Sequence, residues 1–281
     1  QRVFRMLSPI VRIGSRNLLK KIKEYQPDLI ISTHFLPPLL LPNDFSTPID
    51  TVITDYHAHK IWLTPKNRNF FVATEEIKTE LEKFHIPSTV SGIPIHPNFF
   101  EKKDPSILRE KFNIKNNNPI ILFMPTTQGK IKPARAINKI LNYNFGKTIN
   151  IVAIAGKNKK KNLNDLKQFR NTKFTNVTVF ENVENIDELM QITDIIIGKA
   201  GGLTVSEALY LQKPIIIINP IPGQEDYNTN YLEKNHFGLM AKSENDLIQK
   251  IQTILTNPNT INKKSYPDPS KIILEKAFSN L

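Results

Sequence analysis

Consecutive glycines between a buried strand and a helix are the clearest chemical signal in this sequence. The run from Gly198 to Leu209 reads GKAGGLTVSEAL and follows the apolar segment Asp194–Ile197. Glycines let a phosphate approach the backbone, and the free amides and dipole of a helix N-terminus attract negative charge. The Gly201–Gly202 turn therefore predicts an anion site, although close packing of a helix on a strand also explains such glycines.

Polar residues in two neighbouring segments strengthen this interpretation. Glu207 lies about one helical turn beyond the glycines, where its carboxylate can accept hydrogen bonds from ribose hydroxyls. The next apolar strand ends in a polar cluster, PIPGQEDYN, over residues 220–228. Because ligands bind at the carboxyl edge of a doubly wound sheet, we expect both segments to face one ligand.

Alternating strands and helices position these residues. The second half has apolar strand segments at Ile120–Met124, Ile149–Ala155, Val177–Phe180, Asp194–Ile197 and Ile215–Asn219. Helical segments begin near Pro133, Asn162, Asn185, Gly202 and Glu225. This alternation predicts a doubly wound α/β domain with five parallel strands.

The first half has the same α/β character. Short apolar runs at Asp28–Ser32, Thr51–Thr54 and Phe70–Val72 predict buried parallel strands, and a helix follows Thr74. We expect one domain over residues 1–100 and a second over 101–265. A last helix over 266–281, started by Asp268 and Pro269, is expected to pack back toward the first domain.

Composition excludes several classes of protein. The 281 residues contain 38 Lys and Arg, 26 Asp and Glu and no Cys, so disulfides, thiolate nucleophiles and Cys-ligated metals are excluded. The net charge of +12 indicates an anionic partner or a well-solvated basic surface. No nucleic-acid-binding motif is present, and we expect no nucleic-acid partner. No apolar run is long enough to span a bilayer.

The glycine run, followed by Pro222-Gly223-Gln224-Glu225 and Asn228, resembles the sugar-nucleotide half of the diacylglycerol glycosyltransferases. That family contains the monogalactosyldiacylglycerol synthases and the processive diacylglycerol glucosyltransferases. Thr54-Asp55-Tyr56 with His59 and Trp62 agrees with it, and the resemblance spans roughly residues 26–235. It implies the GT-B fold, two Rossmann-like doubly wound domains with a cleft between them.

The resemblance also implies an activity and a set of site residues. The protein would be an inverting transferase that moves a hexose from a UDP-sugar to diacylglycerol, with neither a cofactor nor a bound metal. On the donor side, Asn182 and Val183 would read the uracil and Glu207 the ribose, while Gln224 and Glu225 would bind sugar hydroxyls with support from Asn228. The diphosphate would face Gly201, Gly202, Leu203 and Thr204. On the acceptor side, the lining residues would be His34, His59 and Trp62.

Two departures from the family keep alternatives open. The glycine-rich first loop, which carries a His thought to act on the acceptor, does not precede Arg2, so we expect an incomplete first domain and no base in this chain. Met124–Gly129 has threonines where the family has glycines. Either the sequence is truncated or the protein is a catalytically impaired binder of nucleotide sugars or lipids. A polyprenyl-diphosphate acceptor, as in peptidoglycan synthesis, is the other enzymatic alternative.

Three residues have both a catalytic and an ordinary explanation. His59 could touch the acceptor or sugar, or be a surface histidine. Asp55 could orient a base or cap a turn. Trp62, the single tryptophan, could be core or lipid-facing, and the resemblance favours the outward orientation.

The beginning of the chain is a candidate membrane contact. Arg5, Arg12 and Arg16 alternate with apolar residues between Arg2 and Lys23, at partly helical spacing. Such a segment either docks on anionic lipid or packs as an ordinary first-domain helix. With the family resemblance, it predicts a peripheral protein on the cytoplasmic face of a membrane.

Overall fold

The computed structural model describes residues 8–42, 45–114, 116–125, 129–156, 160–169, 176–223, 225–263 and 266–279. The chain divides into two compact units. The first comprises Gln1–Pro94 and Pro267–Leu281, and the second comprises Ile95–Tyr266. The sequence had suggested limits at residues 100 and 265.

The first unit is built on a parallel sheet of four strands in the order β1-β2-β3-β4. Its elements in chain order are α1 (Ser8–Tyr25), β1 (Ile30–Ser32), α2 (Leu36–Leu40), β2 (Ile49–Val52), β3 (Asn67–Val72), α3 (Glu75–Glu82) and β4 (Ser88–Val90). Thr74 caps α3, since its side chain accepts a hydrogen bond from the Ile77 amide.

The final helix of the chain belongs to this first unit. Its limits are Pro269–Phe278, and Asp268 caps it by accepting from the Ser270 amide. Ile273 and Ala277 are buried against Val52 and Phe71 of the sheet. The Arg68 guanidinium binds both oxygens of the buried Asp50 carboxylate, at 3.0 and 2.6 Å, and also donates to the Ala277 carbonyl. Apolar packing and this buried ion pair therefore fix the helix on the sheet.

The second unit has a parallel sheet of six strands. Its elements are α4 (Pro105–Lys111), β5 (Ile120–Phe123), α5 (Pro133–Asn142), β6 (Asn150–Ile154), α6 (Lys160–Lys167), β7 (Val177–Phe180), α7 (Ile186–Ile192), β8 (Ile195–Gly198), α8 (Gly202–Tyr210), β9 (Ile215–Ile217), α9 (Glu225–Lys234), β10 (Gly238–Met240) and α10 (Glu244–Thr256). The final helix, Pro269–Phe278, is α11. All residues of β5, β6, β8 and β9 are buried, as expected of strands covered on both faces.

The strand order of this sheet is β10-β9-β8-β5-β6-β7. Counted within the unit from β5, this is the 3-2-1-4-5-6 order of a doubly wound dinucleotide-binding fold. The chain leaves β5 toward β6 on one side and later returns to β8 on the other. The order therefore reverses between β5 and β8, and a crevice opens there at the carboxyl edge.

The sequence interpretation missed two strands and displaced a third. The second unit has six strands where five were predicted, because β10 is only three residues long and carries a glycine. β4, another three-residue strand, lacks a strong apolar run. β2 begins at Ile49, two residues before its predicted start, because its polar residue Asp50 is buried by the ion pair with Arg68.

Candidate functional site

The carboxyl ends of β5 and β8 lie side by side at the point where the strand order reverses. The Met124 amide donates to the Ile197 carbonyl at 2.8 Å, which extends the pairing to the last residues of both strands. A Cβ placed on Gly198 would lie 3.0 Å from the Met124 Cβ, so the glycine permits this close approach. The chain therefore leaves these two strands at neighbouring points on the same edge of the sheet.

The Gly201–Gly202 turn presents the amino end of α8 to this edge. Gly201 is the N-cap, with φ −67° and ψ 137°, and no side chain caps the helix. The first helical hydrogen bond runs from the Val205 amide to the Gly201 carbonyl. The amides of Gly202, Leu203 and Thr204 precede that bond and have no partner within the helix. A Cβ on Gly201 would meet no atom within 4 Å, so the turn is open to an approaching group.

Buried polar contacts hold the turn in place. Asn228 is fully buried, and its Nδ2 donates to the Ala200 carbonyl at 2.8 Å. The Glu225 carboxylate is 4% exposed, binding Lys199 Nζ at 2.9 Å and the Ile221 amide at 2.8 Å. The two residues therefore tie the start of α9 to the glycine turn. Gln224, assigned with Glu225 to the sugar, lies outside the described residues.

Glu207 and Asp187 place two carboxyl groups next to the turn. Burial raises the pKa of Glu207 to about 7, and the negative charge of Asp187 contributes to that rise. Asp187 is 4% exposed, and its Oδ2 has no hydrogen-bond partner among the residues that the structure describes. The sequence analysis did not single out Asp187, although its place in the first turn of α7, after the Asn182–Val183 segment, was a possible signal.

Asn182 and Val183 lie at the same edge of the sheet, just after β7 and before α7. Asn182 is exposed and Val183 is partly exposed. The charge of Asp187 acts on Glu207, so the first turn of α7 lies close to α8. A ligand on the glycine turn can thus extend past Glu207 toward this segment.

Asn219 is a further residue of this edge that sequence reasoning missed. It follows β9 with a positive φ of 49°, and its side chain bonds the Ile131 amide at 3.0 Å and the Ile131 carbonyl at 2.7 Å. A Cβ on Gly129 would lie 2.2 Å from the Asn219 Cγ, so only glycine fits there. Asn219 therefore fixes the chain that follows the β5 loop. An Asn after a buried strand was the available signal, because Asn tolerates positive φ better than most residues.

In the first unit, three aromatic side chains form a cluster after β1. The His34 ring lies 4.3 Å from that of Phe35 and 6.2 Å from that of Trp62, and Phe35 meets Trp62 edge to face at 5.7 Å. His34 is exposed, and its Nδ1 accepts from the Leu36 amide. The outward orientation expected for Trp62 is wrong, since the side chain is only 5% exposed. Packing against Phe35 and His34 buries the indole.

His59 and Asp55 follow β2 in the same unit. His59 is exposed, and its Nδ1 accepts a hydrogen bond from the Ile61 amide at 3.3 Å. A neutral ring with this contact carries its proton on Nε2. Asp55 is partly buried.

The candidate membrane segment forms α1. Arg16 is exposed, as are Lys20, Lys21 and Lys23, and Glu24 lies within 4 Å of the first two of these lysines. Arg5 and the side chain of Arg12 lie outside the described residues. No described helix combines the length and apolar character required to cross a bilayer. Within the described part of the chain, no cluster of three or more His, Asp or Glu side chains could hold a metal ion.

Comparison with protein families gives two matches that together span most of the chain. Residues 121–277 match the glycosyltransferase family 28 C-terminal domain. Residues 3–95 match the monogalactosyldiacylglycerol synthase family. The boundary between these matches falls near the boundary between the two units.

Individual relatives agree with the family matches. The processive diacylglycerol beta-glucosyltransferase of Bacillus subtilis (strain 168) is 31% identical over 94% of this chain and 72% of its own length. The Bacillus cereus (strain G9842) protein of the same name is 31% identical over 86% of this chain, and the match spans only 63% of that relative. UDP-GlcNAc 2-epimerase from Neisseria meningitidis, solved bound to UDP-GlcNAc, superposes with a TM-score of 0.70 at 19% identity, covering 95% of this chain and 80% of that one. The fold is GT-B, with two Rossmann-like domains.

Proposed function

Because this chain belongs to the glycosyltransferase family 28 proteins that include the processive diacylglycerol glucosyltransferases, we propose that it serves in hexose transfer from a UDP-sugar to diacylglycerol. The observation that carries this proposal is the uncapped amino end of α8 at the switch point of the second sheet. That position combines free amides, a helix dipole and an open glycine turn, which together suit a diphosphate.

Each part of the donor has a complementary group along this edge. The amides of Gly202, Leu203 and Thr204 bind the diphosphate, and the Glu207 carboxyl binds the ribose hydroxyls. The backbone at Asn182 and Val183, which follows β7 at the same edge, reads the uracil. Gln224 would bind the hexose hydroxyls, as the family resemblance implies. Glu225, assigned to the hexose with it, is buried and already bonded to Lys199 and the Ile221 amide, so it holds the start of α9, and Asn228 positions the turn. UDP-GlcNAc in the Neisseria epimerase is a ligand of the same chemical class on the same fold.

The reaction inverts the anomeric carbon without a metal. The acceptor oxygen forms a bond to C1 of the hexose as the bond from C1 to the diphosphate oxygen breaks. The electron pair of that bond leaves with UDP, and the acceptor proton passes to a base. The amino end of α8 stabilises the charge that develops on the diphosphate, because its amides already point at that position.

Diacylglycerol is the acceptor that the relatives favour. Two curated relatives carry that substrate in their names, and the first unit matches the monogalactosyldiacylglycerol synthases. The exposed His34 and His59 lie on the acceptor side with Trp62 behind them, and His59 and Asp55 are the candidates for proton transfer in this chain. The exposed cations of α1 hold the protein peripherally on anionic lipid at the cytoplasmic face.

Calorimetry with UDP, with and without a chelator, tests the donor site. We expect UDP to bind equally in both conditions, and Glu207→Ala to weaken binding by about 1–3 kcal/mol through lost hydrogen bonds to ribose. A strict metal requirement would overturn the proposed phosphate site. An unchanged affinity in the variant would make Glu207 structural.

A transfer assay with the protein tests the acceptor. UDP-glucose and UDP-galactose are supplied in turn with diacylglycerol or with a polyprenyl diphosphate lipid. Transfer to diacylglycerol alone supports the proposal. Transfer to the polyprenyl lipid would assign the protein to peptidoglycan-type synthesis, and UDP binding without transfer to either would indicate a binding protein.

A further inference from the structure

A cavity of about 300 Å³ lies at the amino-terminal edge of the second sheet, opposite the edge that holds the glycine turn. Residues at the start of three neighbouring strands line it, namely Pro119, Ile195 and Pro214, together with Leu255 at the end of α10. A cavity of this size accommodates a small organic ligand. None of the donor-site residues lines it.

Positive charge dominates the polar lining of this cavity. Lys147, Lys213 and Lys263 all line it, against a single carboxylate, Asp194. One oxygen of that carboxylate already accepts the Ile120 amide at 2.8 Å. Among the described residues, none of the three lysines makes an ion pair or a hydrogen bond. Lys147 and Lys263 are exposed and Lys213 is partly buried, so this concave, partly apolar surface presents three positive charges to a ligand of opposite charge.

The environment of Lys213 shows the electrostatic cost of this convergence. Its side chain is partly buried, and burial lowers the pKa of the ammonium group. The charge of Asp194 raises that pKa, and Lys263 and Arg109 lower it by smaller amounts. Two further cations therefore act on a poorly hydrated ammonium group, and the charge of a bound anion would offset both the repulsion and the cost of burial.

We propose that this cavity binds a phosphate group, held by Lys213 and Lys263 with Lys147 beside them. A phosphate carries enough negative charge to balance two ammonium groups, and lysine binds it as a compact point charge. Pro119, Pro214 and Leu255 form apolar walls that suit the carbon portion of a phosphate ester. This site is independent of the proposed glycosyl transfer, because it lies at the other edge of the sheet.

Lysines near helix C-termini can also stabilise a protein by offsetting the helix dipole. A control pair of lysines that lie near helix ends but outside the cavity separates this role from phosphate binding. Lys213 follows the end of α8, and Lys263 follows α10. Lys167 and Lys234 lie in the last turns of α6 and α9, are exposed, and do not line the cavity. A double change of Lys167 and Lys234 to Gln therefore removes the same amount of positive charge from beyond or within the last turns of two helices and leaves the cavity lining unchanged.

Equilibrium dialysis with radiolabelled inorganic phosphate, at constant ionic strength and saturating UDP, tests the site. UDP fills the glycine turn, so phosphate is left to occupy the cavity. We expect saturable uptake of one phosphate, weakened at least about tenfold by Lys213→Gln with Lys263→Gln and by less than about twofold in the control pair. Asp194→Asn keeps an acceptor for the Ile120 amide and removes the opposing charge, so we expect it to tighten binding about threefold.

Vesicle flotation separates a soluble phosphate from a lipid headgroup. The vesicles contain phosphatidylcholine alone or with phosphatidic acid. Loss of phosphatidic acid binding in the Lys213 and Lys263 variant, and not in the control pair, assigns the site to a lipid phosphate. Unchanged flotation with weakened dialysis assigns it to a soluble phosphate. Equal behaviour of both double variants in both assays, with no gain from Asp194→Asn, would overturn the proposal whether or not UDP binds.

Discussion

The raised pKa of Glu207 makes the stability of the second unit depend on pH in a direction opposite to that of most carboxyl groups. Its pKa is about 7 in the folded protein, against an ordinary value of 4.5. The folded state therefore binds the proton more tightly than the unfolded state does. The stability associated with this proton is fully present below pH 4.5 and is lost as the pH rises through 7.

The size of the stability loss follows from the difference between the folded and ordinary pKa values of Glu207. A difference of 7 − 4.5 = 2.5 pKa units, at 1.36 kcal/mol each, corresponds to a loss of about 3 kcal/mol between pH 4.5 and pH 8. Glu207→Gln keeps the shape and removes the titration, so the variant has no such loss. We expect the two proteins to be similarly stable at pH 5, and the variant to be more stable by up to about 3 kcal/mol at pH 8.

Urea unfolding at pH 5, 6, 7 and 8 measures this difference. Trp62, the single tryptophan, lies in the first unit, so its fluorescence would not report on unfolding of the second unit. Hydrogen exchange of the β8 amides is therefore the better probe. Asp187→Asn removes the neighbouring negative charge, so a protein that retains Glu207 should lose less stability between pH 5 and pH 8 when it carries this change. A difference between wild type and Glu207→Gln that stays constant from pH 5 to pH 8 would refute the reasoning, because it would mean that Glu207 is ordinarily hydrated.

Three further predictions concern the turn, its support and α1. Gly201→Ala should change stability by less than about 1 kcal/mol, since φ is −67° and the space is empty, yet weaken UDP binding about tenfold in calorimetry, because the methyl group occupies the diphosphate's approach. Lys199→Met leaves the buried Glu225 carboxylate unpaired and should destabilise the second unit by about 3 kcal/mol in urea unfolding, with Glu225→Gln restoring part of the loss. Neutralising three exposed cations of α1 should weaken binding to anionic vesicles by up to about 3 kcal/mol, and the loss should shrink as the salt concentration rises. Vesicle binding that does not change with salt or with lipid charge would exclude electrostatic membrane binding by α1. The three cations are Arg16, Lys20 and Lys23.

The second unit was the more predictable part of the fold. Its buried strands are apolar throughout, as in β8, where three isoleucines precede Gly198. The helices that begin at Pro133, Gly202 and Glu225 start at the predicted residues, because proline, glycine and acidic residues mark helix starts. Short strands such as β10 escaped detection, since three residues carry too little periodicity to distinguish a strand from a turn.

Side-chain placement was less predictable than the backbone. The glycine turn was located correctly, but the sequence could not show that Glu225 is buried against Lys199, nor that Trp62 packs beneath Phe35. These contacts join residues far apart in the chain, and their formation depends on tertiary packing. Asp187 was missed for the same reason, because its proximity to Glu207 arises only when α7 and α8 pack on the sheet.

Amide NMR of the chain titrated with UDP tests the central claim most directly, because it reports on the backbone groups that are proposed to hold the diphosphate. We predict that UDP shifts the amide resonances of Gly201, Gly202, Leu203 and Thr204 most strongly, with smaller shifts near Asn182, and that a chelator changes none of them. Saturable UDP binding that leaves the four amides of the turn unshifted would contradict the account.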